Sequence, residues 1–293
     1  MLRNKDSNMK CWKKNLYENK GYPDNYTDKT FLDELKKNLH VRSITFQEAC
    51  LGAGLVIQEF CIIIFFILGF IYLYNEWIQP EALLSYLSLA TCCSYILFFS
   101  RQYSILKVFR TLLVFLLFSY LLAPILKTLT ETISTDTIYA LTVFMMSVHL
   151  IFFDYGVPAT IVSSSLSLNA AIFASICLAS RLPSPFHTFV LITLAVECFV
   201  LCPILISKIG KSFFVIFILS VIAAFGLLTV SRTMTFLFIL VILFINFICP
   251  LAFVRLQRYK DNIYGPWDEA VKSWTTEDSL SNFKNGSKIV GFL

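Results

Sequence analysis

The stretch Thr233–Val254 reads TMTFLFILVILFINFICPLAFV and contains no aspartate, glutamate, lysine or arginine. A helix needs about 20 mostly apolar residues to cross the hydrocarbon core of a bilayer, because each residue adds about 1.5 Å of rise. The stretch is therefore long enough to span. Its apolar character is continuous rather than alternating, which is typical of a membrane helix and not of a barrel strand.

Seven further stretches lack these four charged residue types, and together the eight predict an all-α, polytopic integral membrane helical bundle with about eight transmembrane helices. Three of the seven reach spanning length only with flanking residues added: Leu51–Glu59 for the first, Val108–Arg110 for the third and Phe186–Glu197 for the sixth. In chain order the seven stretches are Phe60–Asn75, Ala82–Ser100, Thr111–Leu126, Thr137–Phe153, Tyr155–Ser180, Cys198–Ser207 and Ser212–Ser231.

The composition of the 293-residue chain indicates a lipid environment as well. Hydrophobic residues make up 57% and charged residues 15%, whereas a soluble domain has about 25% charged residues. Ordinary soluble enzymes, secreted disulfide scaffolds and disordered proteins are thereby excluded. A net charge of +5 is too small to indicate a nucleic-acid partner, and nine cysteines without a C-x-x-C pair predict no metal site and no disulfide framework.

Basic residues near the ends of the spans predict the orientation, because cytosolic loops carry an excess of lysine and arginine. With both termini in the cytosol, one side of the membrane holds eleven such residues and the other side three. We therefore expect a cytosolic tail over residues 1–50, a transmembrane domain over 51–254 and a second cytosolic tail over 255–293. The eleven are Lys36, Lys37, Arg42, Arg101, Lys107, Arg110, Lys208, Lys211, Arg255, Arg258 and Lys260, and the three are Lys127, Arg181 and Arg232.

The N-terminal tail contains one predicted element. Thr30-Phe31-Leu32-Asp33 fits a capping box at the start of a helix. Phe31, Leu32, Leu35 and Leu39 would lie on one face of that helix. We interpret it as a short amphipathic helix at the membrane interface, with a partner-binding helix as the alternative.

Polar groups inside the predicted spans are the first candidate site residues. Placing a charged side chain at the centre of a bilayer costs about 2.5–3.5 kcal/mol on insertion scales, so each should face protein or water. Glu197 lies midway along its span and Glu59 about two turns into the first, close to the interface. Each is either a functional polar site or a satisfied interhelical hydrogen bond. His149 is interpreted as a packing residue.

Small and amide side chains form a second group of intramembrane candidates. The run Ile161–Asn169 contains Ser163, Ser165 and Asn169, which is unusual within a span. Such residues allow helices to approach closely and to form hydrogen bonds across the interface. Helix packing and the lining of a lipid or ion path are both open, and the same holds for Asn246 near the end of the last span.

The most polar loop between spans runs from Lys127 to Asp136. A helical turn there would pair Lys127 with Glu131, four residues later. Glu131 and Asp136 could form a lumenal carboxylate site, although an ordinary solvated loop is the simpler interpretation.

Five longer strings are similar to one known family, PIG-C, which is a membrane component of the phosphatidylinositol N-acetylglucosaminyltransferase complex. They are spread in order along most of the chain, which makes the resemblance far more specific than a short motif. The strings are Tyr22–Asn38 (YPDNYTDKTFLDELKKN), Leu126–Ala140 (LKTLTETISTDTIYA), His149–Gly156 (HLIFFDYG), Ile161–Pro183 (IVSSSLSLNAAIFASICLASRLP) and Arg255–Ala270 (RLQRYKDNIYGPWDEA).

The resemblance implies a multi-pass subunit of an endoplasmic-reticulum membrane complex. That complex transfers N-acetylglucosamine from UDP-GlcNAc to phosphatidylinositol, the first step of glycosylphosphatidylinositol (GPI) anchor biosynthesis. In the family the sugar-nucleotide chemistry belongs to PIG-A, and the further subunits are PIG-H, PIG-P, PIG-Q and PIG-Y. The resemblance supplies no catalytic residue and no cofactor for this chain, so it implies an accessory subunit that is not an enzyme on its own.

The residues themselves also indicate that the sugar-nucleotide site lies on another subunit. A UDP-sugar needs phosphate-binding backbone amides or a metal held by carboxylates, and neither predicted tail is large enough to fold such a site. We therefore expect a scaffold that anchors the catalytic subunit and presents phosphatidylinositol. The basic residues expected to contact a lipid headgroup or a partner are Arg101, Lys107, Arg110, Arg255 and Arg258.

Two other classes stay open on the residues alone. One is an integral-membrane glycosyltransferase that uses a lipid-linked sugar, with Glu131 and Asp136 as its carboxylates. The other is a transporter of lipids or small solutes that uses Glu197 and Asn169, a class that predicts internal repeats.

Overall fold

A computed structural model describes residues 26, 43–99, 105–156, 162–210 and 212–259, and every regular element within these ranges is helical. The predicted tail helix at residues 30–39 and the chain beyond residue 259 lie outside the described residues. The residues from Ile44 to Arg255 form one compact unit. The helices are α1 (Phe46–Tyr74), α2 (Pro80–Phe99), α3 (Ile105–Thr128), α4 (Thr135–Phe152), α5 (Ser164–Ala179), α6 (Pro185–Ile209), α7 (Phe213–Val230) and α8 (Arg232–Tyr259).

Seven of these helices are long and apolar enough to cross a membrane, and α5 is the shorter eighth. The predicted helical class is thus confirmed, and within the predicted run Tyr155–Ser180 the helix α5 begins at Ser164. The hydroxyl of Ser163 accepts a hydrogen bond from the backbone N–H of Leu166 at 3.4 Å, which caps the helix at that point.

The first helix starts earlier than the charge-free run predicts. Thr45 and Glu48 form a capping box, in which the Thr45 hydroxyl accepts from the Glu48 N–H and the Glu48 carboxylate accepts from the Thr45 N–H. The helix therefore extends over 29 residues from Phe46. Glu59 consequently lies next to the midpoint of α1, and its position relative to the membrane interface stays a prediction.

Two helices contain a widened π-helical turn immediately before a Cys-Pro pair. The turn Glu197–Leu201 precedes Cys202-Pro203 in α6, and Phe244–Ile248 precedes Cys249-Pro250 in α8. Proline lacks an N–H group and its ring clashes with the carbonyl four residues earlier, so the regular hydrogen-bond pattern is interrupted there. π-Turns of this kind are frequent at functional sites.

Helix α1 forms the centre of the compact unit. It packs against α7, which runs in the same direction. Near their first turns the side chain of Ile216 fills the space that a side chain on Gly54 would need. Near their ends the Tyr72 hydroxyl lies 2.7 Å from the Thr229 hydroxyl. On the other side, α1 contacts α6 through an interface that includes Phe66 and Phe199, whose ring centroids are 5.2 Å apart.

Helices α4 and α5 form the most extensive helix–helix contact, whereas α2 and α3 have few fully buried residues. Pro80 is the one buried residue in the α-helical part of α2, Pro80–Ser94. In α3 the buried residues are Ser119 and Ala123. Much of the surface of both helices is thus exposed, although Leu83, Leu84 and Leu87 of α2 pack against the core and Tyr120 of α3 contacts Phe189 of α6.

The loop between α3 and α4 is fixed by hydrogen bonds to the end of α5. The Thr130 hydroxyl donates to that of Ser180 at 2.5 Å, and the Arg181 guanidinium donates to the carbonyls of Thr130 and of Ile133, the latter at 2.9 Å. Lys127 donates to the Pro183 carbonyl at 2.6 Å. This bond takes the place of the predicted Lys127–Glu131 pair, because α3 ends at residue 128.

Candidate functional site: polar groups inside the bundle

Three polar side chains from three helices meet at the centre of the bundle. Nε2 of His149 in α4 lies 2.9 Å from Oε1 of Glu59 in α1. Nδ1 of the same ring lies 2.8 Å from the hydroxyl and 3.0 Å from the carbonyl of Ser167 in α5. The Glu59 and His149 residues are each 1% exposed and Ser167 is 2% exposed. We call these three residues the central cluster.

The hydrogen bonds of the central cluster fix where its protons lie. The Ser167 hydroxyl donates to the His149 carbonyl at 3.1 Å, so its oxygen accepts from Nδ1–H of the ring. An unprotonated Nε2 facing an ionised Glu59 would place two acceptors together. One proton must therefore lie between Nε2 and the Glu59 carboxyl group, which makes the pair neutral overall. A neutral pair costs less to bury inside a membrane bundle than an unpaired carboxylate does.

The central cluster is sealed rather than accessible. The Phe199 ring packs edge-on against the His149 ring at 5.0 Å between centroids, and Phe153 packs in the same way at 5.7 Å. Serine, histidine and glutamate are the residue types of a hydrolase triad, but here the serine hydroxyl is buried and donates to a backbone carbonyl. We therefore assign the cluster to the joining of α1, α4 and α5.

Tyr155 closes the end of α4 next to this cluster. Its hydroxyl donates to the Leu150 carbonyl at 2.6 Å. Burial, and to a lesser degree the nearby Glu59, raise the pKa of the Tyr155 phenol well above its ordinary value. The phenol therefore stays protonated and keeps donating over the whole physiological pH range.

Glu197 occupies a different environment from Glu59. It lies at the midpoint of α6, at the start of the π-turn, and it is half-buried. Oε1 accepts a hydrogen bond from the Thr91 hydroxyl of α2. Among the described residues Thr91 is its one hydrogen-bond donor. The sequence predicts a buried polar group at this position, but the threonine on α2 carries no signal in the sequence.

The first half of α7 forms a groove with the start of α1 and the middle of α8. Its volume is about 910 Å³, within the range of about 300–1,000 Å³ typical of ligand sites. The walls are mostly apolar, and the lining residues that carry polar groups are Gln47, Cys50, Ser220 and Asn246. We call it the α1–α7–α8 groove.

Asn246 has a defined role at the wall of this groove. Pro250 lacks the N–H group that would normally reach the Asn246 carbonyl. That carbonyl instead accepts from the Cys50 thiol at 3.5 Å, which joins α8 to the start of α1. Asn246 is also one of the residues that line the groove.

The remaining predicted site residues are not brought together. Ser163 caps α5, whereas Ser165 and Asn169 are exposed on its surface. Glu131 and Asp136 are exposed at the loop between α3 and α4. The basic residues Lys107, Arg110, Arg255 and Arg258 are exposed, and Arg101 lies outside the described residues. The Arg258 guanidinium packs on the Tyr259 ring at 4.9 Å from its centroid.

Sequence reasoning missed two members of the central cluster. His149, interpreted from the sequence as a packing residue, is buried, but it is hydrogen-bonded through both ring nitrogens. Ser167 is one of several serines in its run, and only its burial distinguishes it from Ser165. In the described part of the chain no three His, Cys, Asp or Glu residues are grouped so as to hold a metal ion.

Comparison with known proteins identifies the family. A family model described as phosphatidylinositol N-acetylglucosaminyltransferase matches residues 12–268. The chain is 42% identical to the C subunit of phosphatidylinositol N-acetylglucosaminyltransferase from Homo sapiens, over 93% of this chain and 95% of that protein. It is 38% identical to the putative C subunit of the same transferase from Dictyostelium discoideum, over 88% of this chain and 79% of that protein.

A more distant relative is the phosphatidylinositol N-acetylglucosaminyltransferase GPI2 subunit of Schizosaccharomyces pombe. It is 31% identical over 89% of this chain and 87% of the relative. No solved structure matches the chain. From the family match and these relatives we conclude that the chain belongs to the PIG-C family of phosphatidylinositol N-acetylglucosaminyltransferase subunits.

Proposed function

We propose that this protein is a non-catalytic membrane subunit of the GPI N-acetylglucosaminyltransferase complex. The complex transfers GlcNAc from UDP-GlcNAc to phosphatidylinositol, and this subunit scaffolds the catalytic subunit at the membrane. The observation that carries the proposal is the match to named subunits of this transferase over nearly the whole chain. The chain is an accessory subunit in this account, and the sugar-nucleotide site lies on another chain.

The uncovered helices support a scaffolding role. Apolar side chains cover the outside of α2 and α3, and few of their residues are buried within this chain. Helices that associate in a membrane do so through packing and hydrogen bonds, so spans with free surfaces are available to other membrane subunits. The exposed predicted packing residues Ser165 and Asn169 fit the same account, with partners on another chain.

The α1–α7–α8 groove supports a role in presenting phosphatidylinositol. A mostly apolar groove with a few polar groups fits the hydrocarbon chains and the ester region of a phospholipid. Exposed Arg255 lies two turns beyond Phe247, a groove residue, on the same helix. An arginine at that level would meet an anionic headgroup. Lys107, Arg110, Arg258 and Arg101 are proposed as further contacts with lipid or with partner subunits.

We propose eight spans with both termini in the cytosol. The shared direction of α1 and α7 supports this count, because it requires an odd number of crossings between the two helices, which the five helices α2 to α6 provide if α5 is one of them. The proposed location is the endoplasmic-reticulum membrane. The proposed partners are PIG-A as the catalytic component, with PIG-H, PIG-P, PIG-Q and PIG-Y.

Affinity purification in mild detergent tests this function. The tagged chain should bring down a soluble glycosyltransferase subunit, and the mixture should transfer GlcNAc to phosphatidylinositol. The chain purified alone after detergent dissociation should have no transferase activity. A chain that is repeatedly recovered alone and is active by itself would contradict the proposal.

A further inference from the structure

The hydrogen-bonding capacity of Glu197 is not used up within this chain. A carboxylate can accept about four hydrogen bonds through its two oxygens. In the described part of the chain Glu197 has one donor, the Thr91 hydroxyl, which faces Oε1 and also lies 3.0 Å from the Leu87 carbonyl, so that a single proton serves both acceptors. Glu59, at the same relative depth in α1, is by contrast fully buried and paired with His149.

The location of Glu197 makes this unused capacity costly in lipid. Glu197 is at the midpoint of the 25-residue span α6, and Thr91 is next to the midpoint of the 20-residue span α2. Both side chains therefore lie near the centre of the bilayer, where lipid offers no hydrogen-bond donors. A half-buried carboxyl group at that depth has to face protein or a water-filled space.

The surface of α2 next to Thr91, which holds this carboxyl group, has small and exposed side chains. Ser88 and Cys92 adjoin Thr91 on the surface of α2, and both are exposed. Small residues allow the backbone of another helix to approach closely. The Ser88 hydroxyl already donates to the Ser85 carbonyl in its own helix, so it does not supply the missing donor to Glu197. We call Ser88, Thr91, Cys92 and Glu197 the α2–α6 face.

We propose that the α2–α6 face binds a transmembrane helix of another subunit, which donates a side-chain hydrogen bond to Glu197. The donor belongs to a serine, threonine, asparagine, glutamine, lysine or arginine on that helix. This proposal rests on the proposed function, because it takes the complex as given and assigns one of its contacts. The carboxyl group favours a protein helix over a lipid at this face, because an acyl chain has no hydrogen-bond donor.

Photocrosslinking within the assembled complex tests the proposal. A photoreactive amino acid at Cys92 should form an adduct with one membrane subunit. Glu197→Leu should reduce that adduct about tenfold, the effect of losing one buried hydrogen bond to a charged group. Glu197→Gln, which keeps an acceptor oxygen, should retain most of it. Glu81→Leu is the matched control, because Glu81 is an exposed carboxylate in the first turn of the same helix α2.

The outcomes separate this proposal from the proposed function. If the wild-type chain is purified without any other subunit of the transferase, the proposed function fails, and the inference fails with it. If the complex is intact but Cys92 yields only lipid adducts, the inference alone is overturned. An adduct that is unchanged in Glu197→Leu also overturns it. If Glu197→Leu fails to fold, Glu197→Gln still tests the proposal. Retention of the wild-type adduct in Glu197→Gln would support it, and loss of the adduct in that variant would contradict it.

Discussion

Nε2 of His149 lies 2.9 Å from Oε1 of Glu59, although the two residues are 90 positions apart in the chain. This contact joins the last turn of α4 to the middle of α1. Both groups are buried, and a single proton between them leaves the pair without net charge. Each group is therefore stable in this low-dielectric interior only while the other is present, because either one alone would be a buried polar group without a partner.

Removal of one partner of this pair should destabilise the protein strongly. Glu59→Leu or His149→Leu leaves an uncompensated polar group in the bundle, which typically costs about 3–5 kcal/mol. The double variant Glu59→Leu with His149→Leu should recover a large part of that loss, because two apolar side chains can pack in place of the pair. Unfolding in detergent, followed as a double-mutant cycle, measures this. Losses that simply add would contradict the assigned pairing.

The close approach of α1 and α6 should depend on Gly69. The side chain of Leu194 occupies the space beside Gly69, so Gly69→Val should cost about 1–3 kcal/mol through overpacking. Gly52→Val is the matched control in the same helix, because Gly52 has open space around it. Thermal unfolding of the two variants in detergent is the measurement. Equal losses in both would argue against a tight α1–α6 contact at this depth.

The α1–α7–α8 groove should bind phosphatidylinositol in the assembled complex. Val221 lines the groove and is exposed, so Val221→Trp should fill it without disturbing the core. Labelling of the chain by phosphatidylinositol with a photoreactive acyl chain should fall about tenfold, equivalent to about 1.4 kcal/mol of binding.

The control for the groove is Val143→Trp on α4, which is exposed and lies away from the groove. That variant should label like the wild type. Equal labelling of Val221→Trp and Val143→Trp would indicate lipid contact without a specific site in the groove.

Both ends of the chain should lie on the same side of the membrane. An epitope tag at either end should be equally accessible to protease in sealed microsomes, and both should be digested when the cytosolic side faces out. Protection of one tag alone would require an odd number of spans. With α1 and α7 running in the same direction, it would mean that α8 does not cross the membrane.

The runs without charged residues were sufficient to predict the helical class and most of the span positions. They could not predict the start of α1. Its first turn begins at the capping box of Thr45 and Glu48 and contains charged and polar residues, which the composition assigns to the N-terminal tail. The charge-free runs also overstated the length of α5. An apolar run indicates which residues can lie in lipid, whereas the first and last residues of a helix are set by caps and turns.

The polar sites could be predicted only in part. Glu59 and Glu197 are visible in the sequence because a carboxylate within an apolar run is expensive and therefore needs a partner. The partners His149, Ser167 and Thr91 are not visible, because each belongs to a common class of residue and is selected by the three-dimensional packing alone. Lys127 similarly bonds to the distant Pro183 carbonyl rather than to its sequence neighbour Glu131.

The most direct test of the account is to find which chain of the complex binds the sugar nucleotide. A photoreactive UDP-GlcNAc analogue, added to the purified complex and followed by separation of the chains, should label a co-purifying subunit and leave this chain unlabelled. Competing UDP-GlcNAc should abolish the label. Labelling of this chain alone that is abolished by competing UDP-GlcNAc would contradict its assignment as a non-catalytic membrane subunit.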